Sequence, residues 1–209
     1  MNTNDYEILF IDAWSDSRYT QIELPALDIN STLAAGYTNT PTSPLTRTQL
    51  WDMEVRKAAR PDLYITKVIR PGTARSWGRR KLDNGDETFI RVSEQRLWLQ
   101  PDTYGTVIEA CYLNHAAQKV TFLGLPEVED DAGHLIVASS EQPLFHVEHG
   151  VSGAEELPLN AWRIVHLTKV DGSKLVQRFN EMAEATGLPE YVERYIENVL
   201  GHQLSQKRG

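Results

Sequence analysis

The most constraining stretch of the chain is Pro44-Leu45-Thr46-Arg47-Thr48-Gln49-Leu50-Trp51, which reads as the start of a helix continuing to about residue 59. Thr46 has N-cap chemistry, and Gln49 three residues on completes a capping box that satisfies two otherwise orphaned backbone amides. Leu45 and Leu50 bracket the cap as a hydrophobic staple. Leu50, Trp51, Met53, Val55, Ala58 and Ala59 supply an apolar side, and Arg60-Pro61 stops or kinks the helix. About a hundred residues of strand pattern follow, then a helical tail. That order predicts a curved sheet gripping a helix, with a cavity between them.

Within the strand region, residues 74–82 and 87–99 flank Asp83-Asn84-Gly85-Asp86, and Asn-Gly between two strand patterns is a strong hairpin signal. Residues 105–113, 119–125, an interrupted run over 134–149, and 161–170 read as further strands. Ahead of the capped helix, residues 6–14 read as a strand, with 19–24 pairing to it across Ser15-Asp16-Ser17 and a short strand at 31–37. Residues 63–69 read either as a strand or as the end of a second short helix. The tail carries two helical stripes divided at Gly187-Leu188-Pro189. Leu175, Val176, Phe179, Met182 and Ala183 form the first; Tyr191, Val192, Tyr195, Ile196, Val199 and Leu200 form the second. Both are expected to pack on the sheet.

Net charge and cysteine usage narrow the function. A formal charge of −8 disfavours nucleic acid, whose phosphates need a concentrated basic face. The local run Arg75, Arg79, Arg80 and Lys81 is followed at once by Asp83, Asp86 and Glu87, the mark of a solvated hairpin. The single cysteine, Cys111, excludes an internal disulfide, and its strand-like flanks predict a buried, inert thiol. Asp5 and Glu7 before a short apolar run do not make a secretory signal, and no segment approaches the ~20 apolar residues of a membrane span. The expectation is a cytoplasmic protein with no nucleic-acid or membrane partner, a small hydrophobic molecule as ligand, and room for a homodimer.

Leu45-Thr46-Arg47-Thr48-Gln49-Leu50-Trp51 followed by Lys57-Ala58-Ala59-Arg60-Pro61-Asp62-Leu63, together with the strand order after it, resembles the START and Bet v 1-like superfamily. The resemblance covers residues 31–205 and is one of pattern and order. It implies an α+β helix-grip fold, a curved antiparallel sheet wrapped around a C-terminal helix. On that basis residues 1–30 form an N-terminal β extension and 31–209 a ligand-binding domain. Polyketide cyclases and aromatases, and many small-molecule binders, share this architecture. The chain departs from it in the added N-terminal strands and in the break at residues 187–189, where the family usually has one long helix.

Alternation along the strands decides which candidate residues share a face. In the strand from Glu87, Ile90, Val92, Glu94, Arg96 and Trp98 share one face; Phe89, Arg91, Ser93, Gln95 and Leu97 share the other. Glu94 and Arg96 then form a carboxylate and a guanidinium on an apolar wall, suited to moving a proton and anchoring an oxygen, or else a cross-strand ion pair at the sheet surface. The richest local cluster is Phe145-His146-Val147-Glu148-His149. His146 and Glu148 share a face as a proton-transfer pair, while His149 points the other way. His166 is a third candidate from a neighbouring strand. Trp98, Tyr112, Phe145 and Trp162 provide flat walls for an aromatic guest.

The expected function is therefore that of an enzyme similar to polyketide cyclases or aromatases, with Glu94, His146, Glu148 and His166 as catalytic residues. Arg96, Trp98, Tyr112, Phe145 and Trp162 would bind a hydrophobic, aromatic or polyketide-derived substrate for cyclisation, dehydration or isomerisation. A non-catalytic binder with the same cavity is the alternative. A metal-dependent hydrolase or lyase using His146, Glu148 and His166 is another, though the helical His-Glu-x-x-His spacing is absent and no metal is called for. No cofactor is expected, since phosphate loops, Rossmann glycines and nucleophile elbows are missing.

Overall fold

A computed structural model of the chain describes residues 3–141, 144–168, 172–183 and 187–207. Its centre is a seven-stranded antiparallel sheet in the order β1-β10-β9-β6-β5-β4-β3. These strands are β1 (Thr20–Asp28), β3 (Arg75–Lys81), β4 (Glu87–Leu97), β5 (Gln100–Asn114), β6 (Lys119–Leu125), β9 (Phe145–Ala154) and β10 (Leu157–His166). Two small ribbons lie apart from it. One pairs β2 (Tyr37–Asn39) with β11 (Ser205–Gln206), and the other pairs β7 (Glu127–Glu129) with β8 (Leu135–Val137).

The capped helix, α3 (Arg47–Ala59), forms where the sequence places it. Gln49 N donates to Thr46 Oγ1 at 3.1 Å, and Thr46 N donates to Gln49 Oε1 at 3.0 Å, so the capping box is complete. A single turn, α4 (Pro61–Tyr64), follows with proline in its first turn, so only 63–64 end a short helix, while 66–68 form a turn and Ile69 makes one isolated bridge to Gln95. In the tail, α5 (Ser173–Ala183) and α6 (Glu190–Asn198) are separate helices on either side of residues 187–189, as the two stripes require. Residues 169–170 of the expected last strand lie outside the described residues.

The N-terminus departs from the sequence expectation. Residues 6–14 are not a strand but part of α1 (Thr3–Ser15). Tyr6, Phe10 and Ala13, spaced at helical intervals, are buried with Ala110, Tyr112, Leu123 and Val165 on one face of the sheet. The continuous apolar run that resembled a strand places Ile8, Leu9 and Ile11 in solvent instead. β1 is the strand expected at 19–24, but its partner is β10, with Ile22 opposite Ile164. The short strand expected at 31–37 is α2 (Ile29–Gly36), because Asp28 caps it by accepting from Ser31 N at 2.9 Å.

The sheet is therefore covered on both faces. α1 lies on the outer face, and α3 and α6 grip the inner one through Leu50, Met53, Tyr195 and Ile196 against Phe89, Cys111, Leu113 and Phe122. Cys111 is buried, and burial pushes its thiol far up, which makes it inert. α5 packs Leu175 and Phe179 on Ile22 and Ile164 at the far end of that inner face. The result is the α+β helix-grip arrangement. Among the described residues no helix is long and apolar enough to cross a membrane.

Candidate functional site

The inner face does not fill completely. A chamber of about 140 Å³ lies between the sheet and the helices, walled by Ile108, Phe122, Val147, Trp162, Phe179 and their neighbours. A second chamber of about 530 Å³ opens beside it between β1, the turn after β4 and the α5–α6 junction. Ile65, Val68, Trp98, Trp162 and Met182 border both, so the two chambers adjoin. Gly124 lets the inner wall close. A Cβ there would lie 2.4 Å from the Phe145 carbonyl oxygen, so any side chain would push β6 off β9.

Five side chains set deep in the inner face form one polar network. Glu54 and Lys57 project from α3, one turn apart, and Lys57 Nζ donates to Glu54 Oε1 at 2.7 Å. Asn160 Nδ2 on β10 donates to the same oxygen at 3.0 Å, and Tyr191 OH on α6 donates to Asn160 Oδ1 at 2.8 Å. Glu54 Oε2 faces His149 Nδ1 at 3.2 Å. A carboxylate only accepts, so Nδ1 carries the proton and Nε2 keeps its lone pair. Lys57, His149 and Tyr191 are all buried, and Lys57 and His149 line the inner chamber.

Electrostatics fix the protonation of this group. Burial alone would raise the Glu54 carboxyl, but Lys57 and His149 outweigh it and bring it down to about 2. Burial, and after it the Lys57 charge, pushes His149 down to about 4, so the imidazole is neutral near pH 7. Burial also draws the Lys57 ammonium down, against the pull of Glu54. That downward pull opposes the charge on Lys57 that the lowered Glu54 presupposes. The 2.7 Å contact, and the Lys57 nitrogen 3.9 Å from the Tyr191 ring centre, favour the charged pair. A second pair stands nearby on the same face. Arg91 Nε donates to Glu109 Oε2 at 2.9 Å, Arg91 NH2 reaches the same oxygen, and NH1 donates to the Ala58 carbonyl at 2.9 Å. Trp162 Nε1 is buried and has no hydrogen-bond partner among the described residues.

The residues singled out in the sequence are dispersed by the pleat. Among the aromatic candidates, Trp98, Phe145 and Trp162 line the inner chamber. Tyr112 instead faces α1, stacked on Tyr6 at 5.5 Å with its hydroxyl donating to Asp86 Oδ2 at 2.6 Å. Arg96 borders the outer chamber. Glu94 is on the outer face in a half-exposed pair with Arg70 at 2.5 Å. Glu148 also lies on that face, held by Arg163 Nε at 3.0 Å and Lys119 Nζ at 3.2 Å. His146 Nδ1 accepts from Gly124 N at 3.2 Å, and burial lowers its basicity. His166 lies on the inner face at the strand end, 5.1 Å from the Phe145 ring. His146 and Glu148 share the outer face as alternation requires, but among the described residues no hydrogen bond joins them, and Glu94 on β4 and His166 on the inner face stand apart. Among the described residues no group of three or more His, Cys, Asp or Glu side chains is placed to hold a metal, so His146, Glu148 and His166 form no metal centre.

Sequence reasoning missed Glu54, Lys57, Arg91, Glu109 and Asn160, and set His149 aside. A signal was available in α3. Leu50, Met53, Glu54, Lys57 and Ala58 follow the i, i+3, i+4, i+7, i+8 spacing of one buried face, so two charges occupy core positions.

No known protein family matches the chain, and no curated protein does either. Solved structures match the fold. Dicamba monooxygenase bound to 3,6-dichlorosalicylic acid aligns over 91% of this chain and 55% of its own, at 9% identity and a TM-score of 0.52. Major latex-like protein 151 from Panax ginseng aligns over 88% and 98%, at 9% identity and a TM-score of 0.48. The Zhui aromatase/cyclase from Streptomyces sp. R1128 aligns over 86% of each chain, at 8% identity and a TM-score of 0.46. At these identities the likeness concerns the fold alone. That fold is the α+β helix-grip arrangement, here with a chamber between the sheet and the helices.

Proposed function

We propose that the protein is an acid–base enzyme for a small hydrophobic, aromatic or polyketide-derived molecule carrying a ketone or phenol, with His149 as general base. The observation that carries this reading is the Glu54–His149 pair in the wall of an apolar chamber, with Lys57 on the same carboxylate. Glu54 fixes the tautomer, and His149 Nε2 takes a proton from an acidic C–H or O–H of the guest. The unpaired Trp162 indole N–H is the donor for an oxygen on which negative charge develops. Aromatic walls exclude water and strengthen both contacts. Cyclisation, dehydration and isomerisation each begin with such a proton transfer.

A non-catalytic carrier with the same chamber is the second reading, and the low basicity of His149 favours it, since a base held at about 4 abstracts protons weakly at neutral pH. Native mass spectrometry of freshly purified protein should reveal a retained small molecule, which then serves as the assay compound. His149→Gln should cut its turnover by about 10²–10³-fold while leaving its affinity within about threefold. Undiminished turnover in that variant would remove His149 as the base. A molecule bound and released unchanged by the native protein would establish the carrier.

A further inference from the structure

The outer chamber has a charge pattern that the inner one lacks. Inside, each buried charge is already answered: Lys57 by Glu54 and Arg91 by Glu109. Outside, Lys67, Arg96 and Arg178 line the walls, and Glu190 is the only carboxylate among the described lining residues. Glu190 is taken up by Arg194 Nε at 2.9 Å, by Thr66 Oγ1 at 2.5 Å and by the Lys67 backbone amide at 3.1 Å. Arg96 donates to the Pro101 carbonyl at 2.6 Å, and among the described residues Arg178 reaches only Glu181, at 3.6 Å on an exposed turn of α5. Among the described residues no carboxylate pairs with Lys67 or Arg96. This cluster runs against the chain's net charge of −8.

We infer that the guest is an anionic amphiphile. Its neutral, oxygen-bearing end lies in the inner chamber, its apolar body passes Trp98 and Trp162, and its anionic group is held by Lys67, Arg96 and Arg178. This rests on the cavity-binding part of the function proposed above and gives that site its substrate class. An anion driven into the inner chamber would meet cations already neutralised at hydrogen-bond distance and would lose its hydration. Left in the outer chamber, it meets cations that keep part of their water, and the attraction there is screened by salt.

A matched pair of dyes tests this. N-phenyl-1-naphthylamine is neutral, and 8-anilino-1-naphthalenesulfonate has the same body with an added sulfonate. Both should bind the wild-type protein, and each should displace the other. In Lys67→Glu/Arg178→Glu, two exposed positions, the sulfonate dye should weaken about tenfold and the neutral dye by less than about twofold. Raising salt to about 0.5 M should weaken the sulfonate dye in the same selective way. Equal affinity of the sulfonate dye for both proteins, or its retention against excess neutral dye, would overturn the inference while leaving the cavity in place. Failure of both dyes to bind would remove the cavity reading and this inference with it.

Discussion

The imidazole of His149 lies flat on the indole of Trp162, with ring centres 4.4 Å apart and planes 12° apart. Trp162 stacks in turn on Tyr191 at 5.4 Å, and Lys57 Nζ lies 3.9 Å from the centre of the Tyr191 ring. The proposed base, the buried cation and the unpaired indole donor therefore belong to one stack. A change to one ring is felt by the others.

Acid should destabilise the protein in two steps. His149 has a pKa of about 4 in the folded chain against an ordinary 6.5. Between those values the unfolded chain binds a proton that the native one does not, so stability falls as pH drops through that window. Glu54, at about 2 against an ordinary 4.5, contributes stability that is complete above its ordinary value and lost as pH falls towards the lower one. The His149 step is on the order of 3 kcal/mol. Urea unfolding measured across this range should show both limbs, and His149→Gln should shrink the upper one, leaving the smaller part due to His146 and His166, which burial also lowers. A variant with the upper limb intact would place that titration elsewhere.

The Glu54–Lys57 pair should behave as a functional liability. Glu54→Leu leaves a buried ammonium without its carboxylate and should cost about 3–5 kcal/mol. Glu54→Leu/Lys57→Met removes both charges and should recover most of that loss. Turnover of the retained molecule should stay lost in the recovered double variant. Thermal unfolding and activity, measured side by side, separate the two effects.

Trp162→Phe keeps a flat ring and deletes the indole donor. A guest with a ketone or phenol oxygen should lose roughly tenfold in affinity, the worth of about 1–1.5 kcal/mol for one hydrogen bond. A hydrocarbon guest such as naphthalene should bind both proteins equally. Titration calorimetry with the two guests checks this, and equal losses for both would show that Nε1 faces no ligand oxygen.

The N-terminal helix should matter through one face only. Phe10→Ala empties a fully buried site against the sheet and should cost about 3–5 kcal/mol. Ile8→Ser, at a position 53% exposed, should change stability by less than about 0.5 kcal/mol. Similar losses for both would mean that the outer side of α1 is covered in solution.

Much of the architecture was legible because local chemistry decided it. Thr46 and Gln49 can satisfy each other only at a helix start, and Gly85 takes a φ of +89° in the expected turn between β3 and β4. Residues 6–14 were misread because a short run of apolar residues has no period of its own, and only the sheet face that buries Tyr6, Phe10 and Ala13 selects the helix. The site was harder still. Alternation separates His146 and Glu148 from His149 but does not say which side faces the helices. The partner of His149 is Glu54, far away in sequence and on another element. The carboxylate that contacts a buried histidine on the inner face is thus one that strand alternation cannot point to.

One edge of the sheet is formed by β3, whose exposed side chains include Arg75 (paired with Asp130), Arg79 (paired with Glu87), Arg80 and Lys81. A ribbon left open in this way invites a second molecule to extend it by backbone pairing. Charged side chains at four of the seven positions of β3 are a usual guard on such a border.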